Sequence, residues 1–145
     1  MSAKHQYIDI TLPKSVSKKD RLTIADLIIE RIVERTSEGL DKKGNPFPGY
    51  SKSYINSLDF QNAGKSAGDI NLQLSGDMLA ALALLKDGSD KIRIGFEKGS
   101  DENARADGNI RGTYGKQQGS RKKARDFLGI DREELKSIID LVVNE

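Results

Sequence analysis

Cysteine is missing from this chain, histidine occurs once, and no apolar run comes near the length of a bilayer. Without thiols there is no disulfide framework and no thiolate metal site, and the single imidazole of His5 does not make a zinc site. A membrane-spanning helix needs about 20 consecutive apolar residues. The first residues, MSAKHQYIDI, lack the apolar stretch of a signal peptide. The expectation is a soluble chain, without a membrane segment, that is cytosolic at synthesis. Charge of one sign is scarce too, because 24 Lys and Arg offset 22 Asp and Glu to leave a net charge of +2. The whole molecule is therefore not a polycation of the kind that coats nucleic acid.

At 145 residues the chain fits one domain, 1–145, large enough to fold without staples. An apolar content of 36% against 32% charged residues describes a modest core under a wet or shared surface. From Tyr7 to Leu12, Ile8, Ile10 and Leu12 alternate with Tyr7, Asp9 and Thr11, the period of a half-buried strand that Pro13 ends or leaves at an edge. From Ser17 the period changes. Ser17 and Asp20 make a capping pair, and Leu22, Ile24, Leu27, Ile28, Ile29, Ile32 and Val33 form a helical stripe that closes near Gly39.

A long connection follows at 40–69, with the punctuation KKGNPFPGYS. Ser53 to Phe60 is compatible with a helical turn there, and Phe47, Tyr50, Tyr54 and Phe60 are read as pins that hold the excursion to the core. Ile70 to Leu74 alternates like a strand. Ser75 is then placed to cap a short apolar helix, Met78 to Leu85, whose near all-round hydrophobicity predicts burial. After the turn LKDGSD, Ile92, Ile94 and Phe96 alternate with Lys91, Arg93 and Glu97, a second strand that is read as an edge, with Gly95 on its polar side. Asp131 begins a last helix with Glu134 at the capping-box position, and Leu135, Ile138, Ile139 and Val142 form its inward stripe. These elements predict an α+β fold: a small, mostly antiparallel sheet packed with a long N-terminal helix, a short buried central helix and a C-terminal helix, plus long extended loops.

The chemistry of catalysis is thin. Gly64-Lys65-Ser66 resembles the end of a phosphate-binding loop, but Asp59 stands where that loop needs its first glycine. Gly112 and Gly115 lack the spacing of a dinucleotide site. Asp87, Asp90, Glu97 and Lys98 match no nuclease spacing and read as the solvated side of a strand and its turn. No nucleophile or acid accompanies His5. The chain reads as a protein that is not an enzyme and takes no cofactor and no metal.

Cation distribution is the functional signal. Between Ala104 and Arg125, the cations Arg105, Arg111, Lys116, Arg121, Lys122, Lys123 and Arg125 face one acid, Asp107, and Tyr114 stands among them. The stretch 99–125 reads as an extended basic loop, longer than a compact domain usually carries, and those cations with Tyr114 as its partner-binding residues. Phe127 and Leu128, directly after it, read as the apolar anchor that fixes the loop to the core. The final helix carries Asp131, Glu133, Glu134, Asp140 and Glu145, so opposed charges on neighbouring segments suit docking to copies or partners. A nucleic-acid-binding accessory protein is the alternative, with the loop following a phosphate backbone and Tyr114 stacking on a base.

Several pieces together resemble the phage virion-morphogenesis, or tail-completion, family of small neck proteins. They are the long helix ending at RTSEG, the following GNPFPGYSKSY, the LSGDMLAAL segment, the strand KIRIGF and RDFLGID before the last helix. Members pass from a helix through G-x-P-F-like and Y-S-like stretches, here Gly44 to Ser51, to L-x-x-S/T-G-x-L/M, here Leu72 to Leu79. Many carry R-P-F-L-G before the final helix, matched by Arg125, Phe127, Leu128 and Gly129 with Asp126 in place of the proline. ENARADGNIRGTYGKQQG replaces the aromatic or histidine-containing stretch that members often have at that point. The resemblance implies a structural α+β subunit acting without catalysis where a phage tail meets its head. It would form a homo-oligomeric ring, hexameric or dodecameric, between connector or stopper proteins and the tail terminator or tube. Its place would be the virion neck, after synthesis in the host cytoplasm.

Overall fold

A computed structural model describes residues 3–45, 76–111 and 126–144. Strand β1, Tyr7–Thr11, turns Ile10 inward and leaves Tyr7, Asp9 and Thr11 exposed, and Leu12 is buried just beyond it. After Pro13 the chain enters helix α1, Lys18–Ser37. The Ser17 hydroxyl accepts the Asp20 backbone N–H at 3.1 Å, so one of the unpaired donors of the first turn is satisfied by the side chain that the sequence placed there. Ile24, Ala25, Ile28 and Ile32 form the buried stripe of α1. At its far end Gly39 takes φ 84°, and the Leu40 N–H returns to the Arg35 carbonyl at 3.1 Å, the bond that a left-handed glycine makes available at a helix end.

Helix α2, Gly76–Ala80, is followed directly by strand β2, Ala83–Asp87, and then by strand β3, Lys91–Gly95. The expected helix over Met78 to Leu85 thus stops at Ala80, and its second half is a strand. An apolar run this short does not separate helix from buried strand by its own period. The turn decides: the Gly88 N–H donates to the Lys91 carbonyl at 2.8 Å and folds 83–87 back along 91–95 as an antiparallel ladder. Leu85 falls where the register shifts between Leu84 and Lys86, a local bulge.

The sheet runs β1-β3-β2 and is antiparallel throughout. The strand expected at an edge is therefore the central one. Its two edges are both paired, to β1 along Tyr7–Thr11 and to β2 along Ala83–Asp87, while Ile92 and Ile94 are fully buried on its inner face. Ile8 pairs with Ile94, and Ile10 with Ile92. A Cβ on Gly95 would sit 2.5 Å from the Gln6 carbonyl oxygen and 2.6 Å from the Tyr7 Cβ, so only glycine admits β1 this closely. On the outer face Arg93 donates to both Asp9 oxygens, at 2.7 and 3.1 Å, and lies 4.0 Å over the Tyr7 ring.

Helix α3, Asp101–Arg111, occupies the first half of the stretch read as an extended basic loop at 99–125. The Ser100 hydroxyl accepts the Asn103 N–H at 3.0 Å, and Asp101 and Glu102 sit in the first turn, where the helix dipole favours acids. Helix α4, Arg132–Val143, starts at its cap Asp131, whose carboxylate accepts the Glu133 N–H at 3.1 Å. Glu134 does not close a capping box; it reaches across to Arg31 of α1. Arg21 of α1 holds Asp87 of β2 at 2.7 Å. The core lies between the inner sheet face and α1, with Ile10, Ile92, Ile94 and Phe96 against Ile24, Ile28 and Ile32, and Met78, Phe127 and Leu128 complete it. The α+β class is thus observed. Among the described residues no helix is long and apolar enough to cross a membrane. The turn at Ser53 to Phe60, the strand at Ile70 to Leu74, the Ser75 cap and the aromatic pins Phe47, Tyr50, Tyr54 and Phe60 lie outside the described residues.

Candidate functional site

Segment 126–130 enters the fold beneath the C-terminal end of α1. Phe127 is fully buried and meets Phe96 edge to face, with ring centroids 6.2 Å apart and planes at 75°. Leu128 is buried beside it. The backbone of this segment is held by Arg35, a residue the sequence reading did not single out. Its side chain is 1% exposed, and one guanidinium nitrogen donates to the carbonyl oxygens of Phe127 and, at 3.0 Å, Gly129. Arg35 continues the buried stripe of α1, eleven residues after Ile24 and three after Ile32, so its register was the available signal. Burial pushes this guanidinium below its ordinary value, and the fields of Glu134, Asp41 and Asp126 oppose that shift. It stays charged, as arginine does in proteins. Its Nε and Nη1, and the neighbouring Thr36 hydroxyl, meet no partner among the described residues.

A second hold comes from the turn after α1. The Lys42 N–H donates to the Asp126 carbonyl at 2.9 Å, the Lys42 ammonium pairs with the Asp126 carboxylate at 2.9 Å, and the Lys42 stem lies over Gly129. Segment 126–130 is thus gripped through backbone, charge and apolar contact at once.

On the other side of the basic segment, α3 is tied to the N-terminal strand by a buried polar network. Asn103 accepts the Gln6 N–H at 2.8 Å and donates to the Lys4 carbonyl at 3.1 Å. Asp107 accepts from the Gln6 amide at 2.9 Å and from Arg111 at 2.7 Å. Burial alone would raise the Asp107 pKa, but the hydrogen bonds from Gln6, Arg111 and the Lys4 backbone and the charge of Arg111 together hold it below the usual aspartate value. A depressed folded-state pKa means stability that is present above the unfolded value, about 3.9, and is lost as pH falls through the folded one. Acid is therefore expected to weaken the tie between α3 and residues 4–6 below about pH 4. Amide hydrogen exchange of α3 against pH checks this, and Asp107→Asn is expected to remove that part of the pH dependence.

Of the residues read as partner-binding, Arg105 and Arg111 are described, both on α3. Arg111 is exposed and salt-bridged to Asp107, and Arg105 is half-buried. Six positions apart on a helix, they lie about 120° from each other around the axis and form no common patch. Tyr114, Lys116, Arg121, Lys122, Lys123 and Arg125 lie outside the described residues. His5 Nε2 hydrogen-bonds the Phe96 carbonyl at 2.6 Å, and its ring lies tilted against Tyr7 with centroids 4.9 Å apart, as a clasp between residue 5 and the end of β3. Asp87, read as solvated, is paired with Arg21, which holds its carboxyl below the usual range. Among the described residues no three carboxylate or imidazole groups gather as a metal site would need.

Comparison with family models, with curated proteins and with solved structures returns no match to this chain.

Proposed function

We propose that this chain is a structural, non-catalytic subunit of a phage head–tail neck, which assembles as a homo-oligomeric ring joining the connector to the tail. The observation that carries the reading is how the basic segment is framed. Residues 112–125 hold Lys116, Arg121, Lys122, Lys123 and Arg125 with no acid among them. The chain enters that segment from Arg111, tied to the buried Asp107, and leaves it at Asp126 and Phe127, gripped by Lys42, Arg35 and Phe96. A cation-rich stretch whose described flanks are both secured is suited to present charge at a repeatable place, and the mutual engagement of many copies in a ring multiplies each weak contact. The resemblance of GNPFPGYSKSY, LSGDMLAAL, KIRIGF and RDFLGID to tail-completion proteins supplies the setting: connector or stopper proteins on one side, tail terminator or tube on the other, in the virion neck.

Replacing Lys122, Lys123 and Arg125 together by glutamine is expected to leave the melting temperature of the monomer nearly unchanged. Attachment to neck neighbours is expected to weaken, with a flatter dependence on salt than the wild type shows. Sedimentation with candidate connector and terminator proteins across a salt series measures both. Attachment that is unchanged over the whole series removes the basic segment from the mechanism. Tight binding of DNA and RNA by a monomer that ignores the neck proteins would replace this reading with that of a nucleic-acid-binding protein.

A further inference from the structure

The sequence holds two Asp–Gly pairs, Asp87–Gly88 and Asp107–Gly108. That dipeptide has a chemistry of its own. The glycine backbone nitrogen attacks the aspartate Cγ, with no side chain on the glycine to obstruct the approach, and the cyclic succinimide that results is opened again by water. Opening at one carbonyl restores aspartate. Opening at the other leaves isoaspartate, in which the Cβ has become part of the main chain.

The two pairs stand in different surroundings. Asp107–Gly108 lies inside α3, where Asp107 is 3% exposed and its two oxygens are taken by Gln6 and Arg111. Asp87–Gly88 ends β2 and begins the turn to β3, with Gly88 and Ser89 exposed. Here two contacts keep the reacting groups occupied. Arg21 takes both Asp87 oxygens, through Nε at 2.7 Å and Nη2 at 3.4 Å, while its Nη1 is braced on the Val16 carbonyl at 3.1 Å. The Gly88 N–H is engaged by the Lys91 carbonyl at 2.8 Å. Charge works in the same direction, because loss of water from the carboxyl group requires its protonated form. The Arg21 hydrogen bond keeps Asp87 ionised by holding its pKa below the usual range.

We infer that Asp87–Gly88 is a site of spontaneous isomerisation to isoaspartate, and that Arg21 sets its rate by holding the carboxylate away from the Gly88 nitrogen. In the first step the N–Cγ bond forms, the Cγ–OH bond breaks, and the amide proton leaves with the hydroxyl as water. In the second, one water adds back. The product lengthens the main chain by one methylene at the mouth of the turn, where Asp87 pairs with Ile92, and moves the carboxylate that Arg21 holds. Nothing in this chemistry depends on assembly into a neck.

Ageing the full-length protein in neutral buffer tests the site. Peptide mapping with a fragmentation method that separates isoaspartate from aspartate reads the product, and a peptide lighter by one water reads the succinimide. Arg21→Met keeps the stem of the side chain without the clamp, and is expected to raise isoaspartate formation at Asp87 about threefold to fivefold, the worth of a partly exposed ion pair expressed as a rate. Asp107–Gly108 in the same molecule is the internal standard, expected to stay at its wild-type rate. A Cβ on Gly88 would meet the Lys91 carbonyl oxygen at 3.2 Å, so Gly88→Ala needs a small shift of the turn. It is expected to suppress the reaction at Asp87 even when combined with Arg21→Met. Equal rates in wild type and Arg21→Met overturn the role of the clamp. A parallel rise at Asp87 and Asp107 overturns it too, since general unfolding raises both. Absence of isoaspartate at Asp87 from wild type and Arg21→Met alike overturns the site itself.

Discussion

Replacing Arg35 by alanine is expected to lower the unfolding free energy by about 3 to 5 kcal/mol, a large share of the 5 to 15 kcal/mol that holds a typical domain. Two effects add. The Phe127 and Gly129 carbonyl oxygens lose a charged donor inside the protein, and hydrogen bonds to charged groups contribute about 1.5 to 3 kcal/mol each. The truncated side chain also leaves space at the end of a stripe that is otherwise closed by Ile28 and Ile32. Arg35→Met separates the two, because it restores most of the volume without the donor and also removes a buried charge whose Nε and Nη1 meet no acceptor among the described residues. Methionine is therefore expected to cost clearly less than alanine. Denaturant titration of both variants makes the comparison, and a methionine protein as unstable as the alanine one would show that the two carbonyl contacts, and not packing, account for the loss.

Why Arg35 escaped the sequence reading is instructive. Amphipathic patterns are read from apolar residues, so a stripe is taken to end at its last aliphatic, here Val33. Arg35 lies on the same face, but a basic residue in core register looks like the solvated end of a helix. The same blindness hid α3. Its buried face is Asn103, Asp107 and Asn109 with Ala106 and Gly108, so it offers no hydrophobic period, and the cations around it suggested a loop. The signs were present at the ends: Ser100 in cap position, Asp101 and Glu102 in the first turn and Arg111 in the last. Where local chemistry and burial agree, as in the alternation of Tyr7 to Leu12, the Ser17 cap, the Gly39 stop and the Asp131 start, elements were legible to within a residue or two. Where partner strands decide, they were not. Ala83–Asp87 is a strand because the turn at Gly88 folds it against Ile92 and Ile94, a pairing that its own residues do not encode. The central place of β3 is likewise a property of pairing, although the burial of Ile92, Ile94 and Phe96 follows from their alternation.

Phe127→Ala is the second large effect, expected to cost about 3 to 5 kcal/mol. The ring is fully buried, its edge-to-face contact with Phe96 lies at the centre of the core, and the backbone around it is already committed to Arg35 and Lys42, so the surroundings have little freedom to close the cavity. The Phe96 and Phe127 pair should show coupling of about 0.5 to 1.5 kcal/mol in a double-mutant cycle, the part that area alone does not supply. Under the neck proposal, Phe127 acts through the start of segment 126–130, because loosening the ring would free Asp126, the described residue that follows the basic segment. Phe127→Leu keeps most of the apolar contact and is expected to stay folded, so attachment to the neck neighbours proposed above can be compared at matched stability. Weaker attachment by the leucine protein, with Lys122, Lys123 and Arg125 intact, is the result that ties the buried ring to the placement of charge. A Phe127→Ala protein that kept both its melting temperature and its attachment would mean that this aromatic neither supports the core nor positions anything beyond it.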